Sequence, residues 1–456
     1  MSFYRNLLMN LPEVATPAQK QTLKKRLTWT FGILILFLFL ASIPLYGVDG
    51  AQSQYFQTLE LLLGAKIGKL LTLGIGPIVT ASIVLQLLKG SGIININLQT
   101  EEGKFIWSGT HKLVTFVFII LESIVYVAFG AVSPSSSDLF WIVSLQLALG
   151  GFLVFYMDEV VKKWGFGSGV SLFIAAGIGQ AVFLQLFSPF TQTGSLGWGF
   201  GGSEVAIGKL WAGLYFLSHA DPQSFLLIVL GPVLITIGLF FLIVFFQSIN
   251  VEIPLSFGRV RGQSMRWPLN FFYAGVIPVI LISALSANFQ LWSTLWSKFK
   301  GLAEGQGLFA SFISYLQPIS IWDNLGTFFT LNVWPHAVTY TIYLVVGSAL
   351  FSYFWVQTAG MDSRSQANQI INSGLQIPGF RKDIRIIEKL LDRYIIPLTI
   401  LGGIGIGLLA SSADLLNALT SGTGILLMIM IIYQFYQQLA RESMEDFSVL
   451  RRFMRR

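Results

Sequence analysis

Few residues of this chain have the type and placement that bond-making chemistry needs. There is no cysteine, so thiol catalysis, disulfides and thiolate metal sites are excluded. The three histidines, His111, His219 and His336, are scattered along the chain and make no metal centre, so none is expected. Within the apolar runs, Glu122 is the acidic residue expected deepest in the membrane, accompanied by Thr80, Gln86, Gln146, Gln180 and Asn288. Polar groups in hydrocarbon are expensive, and those that persist mark functional positions. This set is too sparse for a proton-coupled pump or an ion exchanger. It also holds neither a nucleophile with its base nor a metal triad, so no intramembrane enzyme is expected. A nucleotide-binding loop is absent as well, which leaves any driving force to a partner.

Other residues have spacing without polarity. Ile75 and Val79 lie four apart in TLGIGPIVTASIVLQLL, and Val170 and Ile174 repeat that interval in GSGVSLFIAAG. Ile277 and Ile280 lie three apart in GVIPVIL. Each pair shares one helix face, turned to lipid, to a neighbour or to a pore, and spacing alone leaves the three open. Gly74, Gly76 and Pro77 interrupt the helix that carries the first pair. Such breaks allow close backbone approach and also mark transport pathways. Basic residues collect in two stretches. Arg259, Arg261 and Arg266 sit among glycines in the hairpin-like NVEIPLSFGRVRGQSMRWPLN, and Arg381 and Lys382 lie in GMDSRSQANQIINSGLQIPGFRKDIRIIEKLLDRY. Basic loops of this kind set membrane topology, and loops this long also dock on phosphate backbones.

The elements that position these residues are membrane helices. Of 456 residues 54% are hydrophobic and 11% charged, outside the range of soluble domains. The charges cluster between apolar runs of about twenty residues, the length that crosses a hydrocarbon core of roughly 30 Å. Spans are predicted near 27–46, 70–88, 111–131, 139–157, 169–188, 224–246, 271–289, 336–357, 394–412 and 423–440. The fold class is therefore all-α integral membrane. Lys66, Lys69, Lys209, Lys298 and Lys300 are the only basic residues in the segments of one side, out of 29 in the chain, which places both termini in the cytosol. Residues 1–26 read as an amphipathic cytosolic segment and 441–456 as a basic tail. Ten spans divide at about residue 205 into 27–205 and 206–440, two sets of five, and an odd number of helices permits an inverted repeat. Cytosolic loops fall at 247–270 and 358–393, and the long external loops 189–222 and 290–335 read as interfacial helices and caps. Residues 49–69 read either as an external loop or as a re-entrant segment.

Several stretches resemble the SecY family, the channel-forming subunits of the Sec protein translocon, in its archaeal and eukaryotic-like form. They are LKKRLTWT with IPLYG, TLGIGPIVTASIVLQLLKGSGII, GFGSGVSLFIAAGI, IPLSFGRVRGQ, YAGVIPVILISALSANFQLW, GFRK with RYIIPLT, and SGTGILLMIMIIYQFYQQL. They run in family order over nearly the whole chain, and the external loops 189–222 and 290–335 depart from the family. The resemblance implies a clamshell of two five-helix halves around a central pore, conducting unfolded secretory polypeptides and releasing membrane proteins sideways. The pore ring it implies is Ile75, Val79, Val170, Ile174, Ile277 or Ile280, and Leu427, with Leu426 as the alternative to the last. It implies a short re-entrant plug helix from Tyr55, Phe56, Leu59, Leu62, Leu63 and Gly64, and a polar cluster of Thr80, Glu122 and Asn288 at a lateral gate. Arg259, Arg261, Arg381 and Lys382 match ribosome-docking loops that meet ribosomal RNA. The implied partners are single-span accessory subunits of the SecE (gamma) and beta type in a heterotrimer, the ribosome, signal sequences and nascent polypeptides, the signal-recognition-particle receptor and the lipid bilayer. No cofactor is implied. The location is an archaeal plasma membrane, or the endoplasmic reticulum in a eukaryote. From another class, a secondary transporter of small solutes also fits ten broken spans.

Overall fold

The computed structural model describes residues 6, 8–19, 21–48, 68–90, 93–94, 96, 100–128, 131–191, 195–198, 202, 204–257, 264–299, 308–321, 333–377 and 383–454. Helices stand at all ten predicted spans: α1 Leu23–Leu40, α2 Gly76–Gly90, α3 Glu101–Ala128, α4 Phe140–Trp164 and α5 Gly169–Phe187. After a short external helix, α6 Lys209–Ser218, come α7 Pro222–Ser248, α8 Ile277–Phe299, the short α9 Leu308–Ser314 and α10 Val333–Thr358. The series ends with α11 Ser363–Asn372, then α12 Ile384–Leu415 and α13 Gly422–Met454. Seven of these are long and apolar enough to cross a membrane. The α2 helix and the first part of α8 are shorter apolar stretches, and α1 opens on Lys24, Lys25 and Arg26.

Four helix starts differ from expectation, each for a local reason. The second span was expected from residue 70, yet residues 68–75 form turns and α2 begins at Gly76. Gly74 has a φ of +50°, outside the helical region, and Pro77 has no N–H to extend the helix backwards. Likewise α8 begins at Ile277 instead of 271, after a turn in which Gly275 has a φ of +69°. In contrast, α3 and α12 begin well before the predicted 111 and 394, because EEGKFIWSGT and IRIIEKLLDR continue the helix as amphipathic extensions.

Small residues set the closest helix contacts. A Cβ at Gly403 would stand 2.7 Å from the Ala349 Cα, and one at Gly407 would stand 2.6 Å from the Val345 Cα. These two glycines, one helical turn apart on α12, let it lie directly on the α10 backbone, the small-residue contact common between membrane helices. Gly150 on α4 does the same for the turn before α2, where a Cβ would meet the Leu70 carbonyl at 1.9 Å.

The predicted hairpin is present. Strand β1, Asn250–Phe257, pairs antiparallel with β2, Ser264–Asn270, from Asn250 opposite Asn270 to Ser256 opposite Ser264. A third strand, β3 Leu375–Gln376, joins β1 through Ser256–Gln376 and Phe257–Leu375. The sheet order β2-β1-β3 thus unites the two basic loops. On the same face, Leu8 is buried against α3 at Gly109, and residues 12–15 bind α3 and α4. The N-terminal segment therefore docks on protein, although its composition suggested the membrane surface. Both long loops, 189–222 and 290–335, contain short helices, α6 and α9.

Candidate functional site

Ile75 is the last residue of the turn before α2, and that turn is anchored to the end of α1. The Leu70 N–H donates to the Ile43 carbonyl at 2.8 Å, and the Leu45 N–H donates to the Gly68 carbonyl at 3.0 Å. Val79 follows one helical turn later. On α5, Val170 and Ile174 are placed by Asp158 of α4, whose Oδ1 accepts the Val170 N–H at 2.9 Å. Gly169 makes that approach possible, since a Cβ there would lie 2.6 Å from the Asp158 Cα. Ile277 and Ile280 open α8 after a turn through Gly275, whose φ is +69°. Leu427 lies one turn inside α13. That helix start is capped by Asp414, which accepts the Gly422 N–H at 2.5 Å and the Tyr340 hydroxyl at 2.6 Å.

The residues expected to form the ring all fall in, or against, one large apolar core cluster that these four helices share with others. Ile75, Val79, Ile174 and Leu427 are buried in one apolar cluster, and Val170, Ile277 and Ile280 pack against it half-buried. Leu426 is buried beside Leu427 in the same cluster, so burial does not choose between them. Branched alkyl chains offer no hydrogen-bonding partner to water or ions. A pore constricted by such side chains would exclude both by dewetting and offer no lasting binding site to a polypeptide sliding through.

Beside the ring, α2 packs against α3 on one side and against α8 and α10 on the other. Of the three polar residues expected at this seam, two meet. The Thr80 hydroxyl hydrogen-bonds to the Glu122 carboxyl and also to its own Gly76 carbonyl at 3.0 Å. Asn288 is the exception: its Nδ2 donates to Ala284 O of its own helix at 2.9 Å, a bond that does not cross the seam. Near the cytosolic end of the seam lies an apolar cavity of about 530 Å³. Ile83 and Leu87 of α2 line it, with Leu281 of α8 and Phe351, Phe354 and Trp355 of α10.

Sequence reasoning placed one acid, Glu122, well inside a span; nearer the helix ends the structure also buries Asp158, Glu159 and Asp414. Each is paired. Asp158 Oδ2 lies 2.6 Å from Lys162 Nζ, Glu159 Oε1 lies 2.8 Å from Lys112 Nζ, and Asp414 caps α13. The available signal was position, because each acid sits at a helix end facing a glycine-containing turn or a lysine. The expected plug residues Tyr55, Phe56, Leu59, Leu62, Leu63 and Gly64 lie outside the described residues, as do Arg259, Arg261, Arg381 and Lys382. Among the described residues no three His, Asp or Glu side chains gather as a metal site.

A family model described as SecY matches residues 69–436. The protein translocase subunit SecY of Methanothermobacter thermautotrophicus is 38% identical over 462 residues, covering 99% of this chain and 98% of that protein. The corresponding subunit of Pyrococcus furiosus is 37% identical, covering 97% and 96%. Among solved structures, one described as a protein conducting channel superposes with a TM-score of 0.80 at 35% identity, covering 96% of both chains.

Proposed function

The chain belongs to the SecY family, and from that premise we propose that it is the protein-conducting channel of its membrane, passing unfolded polypeptides through the Ile75–Leu427 ring. It is a multi-pass integral membrane protein of the translocation-channel class. The observation that supports the pore assignment is that residues of α2, α5, α8 and α13 share one buried apolar cluster. A small-solute transporter needs a polar substrate site at mid-depth. Here that depth holds isoleucine, valine and leucine, and the comparisons lend the transporter no support.

The finer assignments extend this reading. The five spans α1–α5 and the five spans α7, α8, α10, α12 and α13 form two halves, with α2 and α3 facing α8 and α10 across a gate. Hydrophobic signal sequences part that gate, and the Thr80–Glu122 pair lies along it. Tyr55–Gly64 serves as the plug. The chain works in a heterotrimer with two single-span accessory subunits, both its termini cytosolic, in an archaeal plasma membrane. It receives signal-bearing nascent chains from ribosomes, with the signal-recognition-particle receptor delivering them. Support for the ribosome comes from a solved structure described as Sec61 in a canine ribosome-channel complex, which superposes with a TM-score of 0.77 at 35% identity. Arg259, Arg261, Arg381 and Lys382 supply the charge for ribosomal RNA. Replacing Arg261 and Arg381 together by Glu weakens ribosome binding and flattens its salt dependence; unaltered binding removes this docking assignment.

The test of the central reading is crosslinking. A photoreactive group at Ile75 or Ile174 labels a stalled secretory chain in membranes, and the adduct disappears when puromycin releases the chain. If stalled chains never label either position while small solutes are taken up by proteoliposomes, the transporter reading replaces it.

A further inference from the structure

At the cytosolic end of the seam a single side chain reaches from one rim to the other. The α10 helix ends in a glycine turn: Gly360 has a φ of +70°, and the Met361 N–H donates to the Val356 carbonyl. This closure turns the last carbonyls of α10 outward, where they need donors from elsewhere. The Thr358 carbonyl takes one from α2, where Lys89 donates its Nζ proton at 2.6 Å. The same ammonium lies 5.5 Å from the centre of the Trp107 ring of α3, and the Asp362 carboxylate acts on it from the start of α11. A cation at a helix C-terminus is favoured by the helix dipole, and a charged donor roughly doubles the strength of a hydrogen bond. Between this contact and the apolar ring lies the 530 Å³ cavity, whose wall also includes Thr358.

Moving α2 away from α10 therefore breaks a charge-assisted bond and uncovers a helix-end carbonyl at the membrane boundary. The ammonium lies over the Trp107 ring of α3, so it is carried off with α2 and α3. We propose that Lys89 is a strut across the gate, setting how hydrophobic a signal must be before α2 and α10 separate. The strut is distinct from the Thr80–Glu122 pair, which lies on one rim and joins α2 to α3. It also selects among substrates. A strongly apolar segment offsets the lost bond by its own burial at the seam, and a weakly apolar one does not. The proposal rests on the reading of α2 and α10 as rims that part during translocation.

The experiment uses the full heterotrimer in proteoliposomes with two secretory reporters, one with a strong signal and one whose signal has been made less apolar. Lys89→Met keeps the stem and removes the donor, whereas Lys89→Arg keeps a cationic donor. For Lys89→Met the weak-signal reporter crosses about tenfold more efficiently, the size expected for one charge-assisted hydrogen bond, and the strong-signal reporter is unchanged. Lys89→Arg stays within about twofold of the parent. The strut is overturned if Lys89→Met leaves weak-signal transport unaltered, or if Met and Arg raise it equally, which assigns the effect to side-chain shape. Thermal stability of each purified complex serves as a second readout, and a gain in weak-signal transport that merely tracks lost stability also overturns the strut. Failure of the parent to move even the strong-signal reporter refutes the channel reading instead.

Discussion

Replacing Lys112 by Met removes the cation on which three elements meet. Its Nζ lies 2.8 Å from Glu159 Oε1, with the two side chains 10% and 11% exposed, and it donates to the Pro12 carbonyl at 3.3 Å. The Met side chain fills the space of the stem, so the change is chiefly electrostatic. Removing one partner of a fully buried pair costs about 3–5 kcal/mol, because the other charge is left without compensation. Here Glu159 keeps two contacts, the Val14 N–H at 3.1 Å and Lys163 at 3.4 Å. The expected loss is therefore lower, about 2–3 kcal/mol. Glu159→Gln alone leaves Lys112 with Glu13 at 4.0 Å and the Pro12 carbonyl, and is also destabilising. The double variant has no orphaned charge, so its loss falls short of the sum of the single losses by about 1–2 kcal/mol. Equilibrium unfolding of the purified complex in mixed micelles measures all four members of this cycle. Protease cleavage within residues 8–19 provides a local readout, because residues 12–15 are bound through this cluster. A double variant whose loss equals the sum, with cleavage unchanged, refutes the reasoning.

Three further outcomes follow from the geometry. Ile174→Asn places an amide among side chains with 0–7% exposure, so the closed channel hydrates and passes ions; planar-bilayer recordings then show a steady leak where the parent shows none. Gly407→Leu brings a side chain onto the Val345 backbone, which cannot yield, so α12 and α10 separate by an overpacking cost of at least about 1–3 kcal/mol and the complex elutes aggregated in gel filtration. Asp221 caps the start of α7, and its bonds to Ser224 hold its carboxyl below the ordinary value of 3.8. A depressed folded pKa means that this cap contributes fully above that value and is lost as the pH falls through the folded pKa. Acid titration of local hydrogen exchange at Ser224 and Phe225 therefore shows a loss of protection that Asp221→Asn does not share.

The spans were legible because membrane thickness writes itself into run length. The extended starts of α3 and α12 were not, since Glu101, Glu102, Arg385 and Glu388 read as loop charge until the helix faces are seen together. Spacing paired Ile75 with Val79 and Val170 with Ile174, but four separate helices must pack before a ring exists. Asp158, Glu159 and Asp414 escaped notice for a related reason. An acid at a predicted helix end looks solvated, and only the approach of Gly169, Lys112 or Gly422 makes it structural.

The three-stranded sheet has a mechanical meaning. Strand β1 continues directly from α7, β2 leads into α8, and β3 lies between α11 and α12, so the sheet is a rivet through the cytosolic ends of four helices. Load applied at the hairpin or at the loop after β3 cannot be taken up by one loop bending alone, because Ser256–Gln376 and Phe257–Leu375 couple them. Whatever pulls there is shared among α7, α8, α11 and α12.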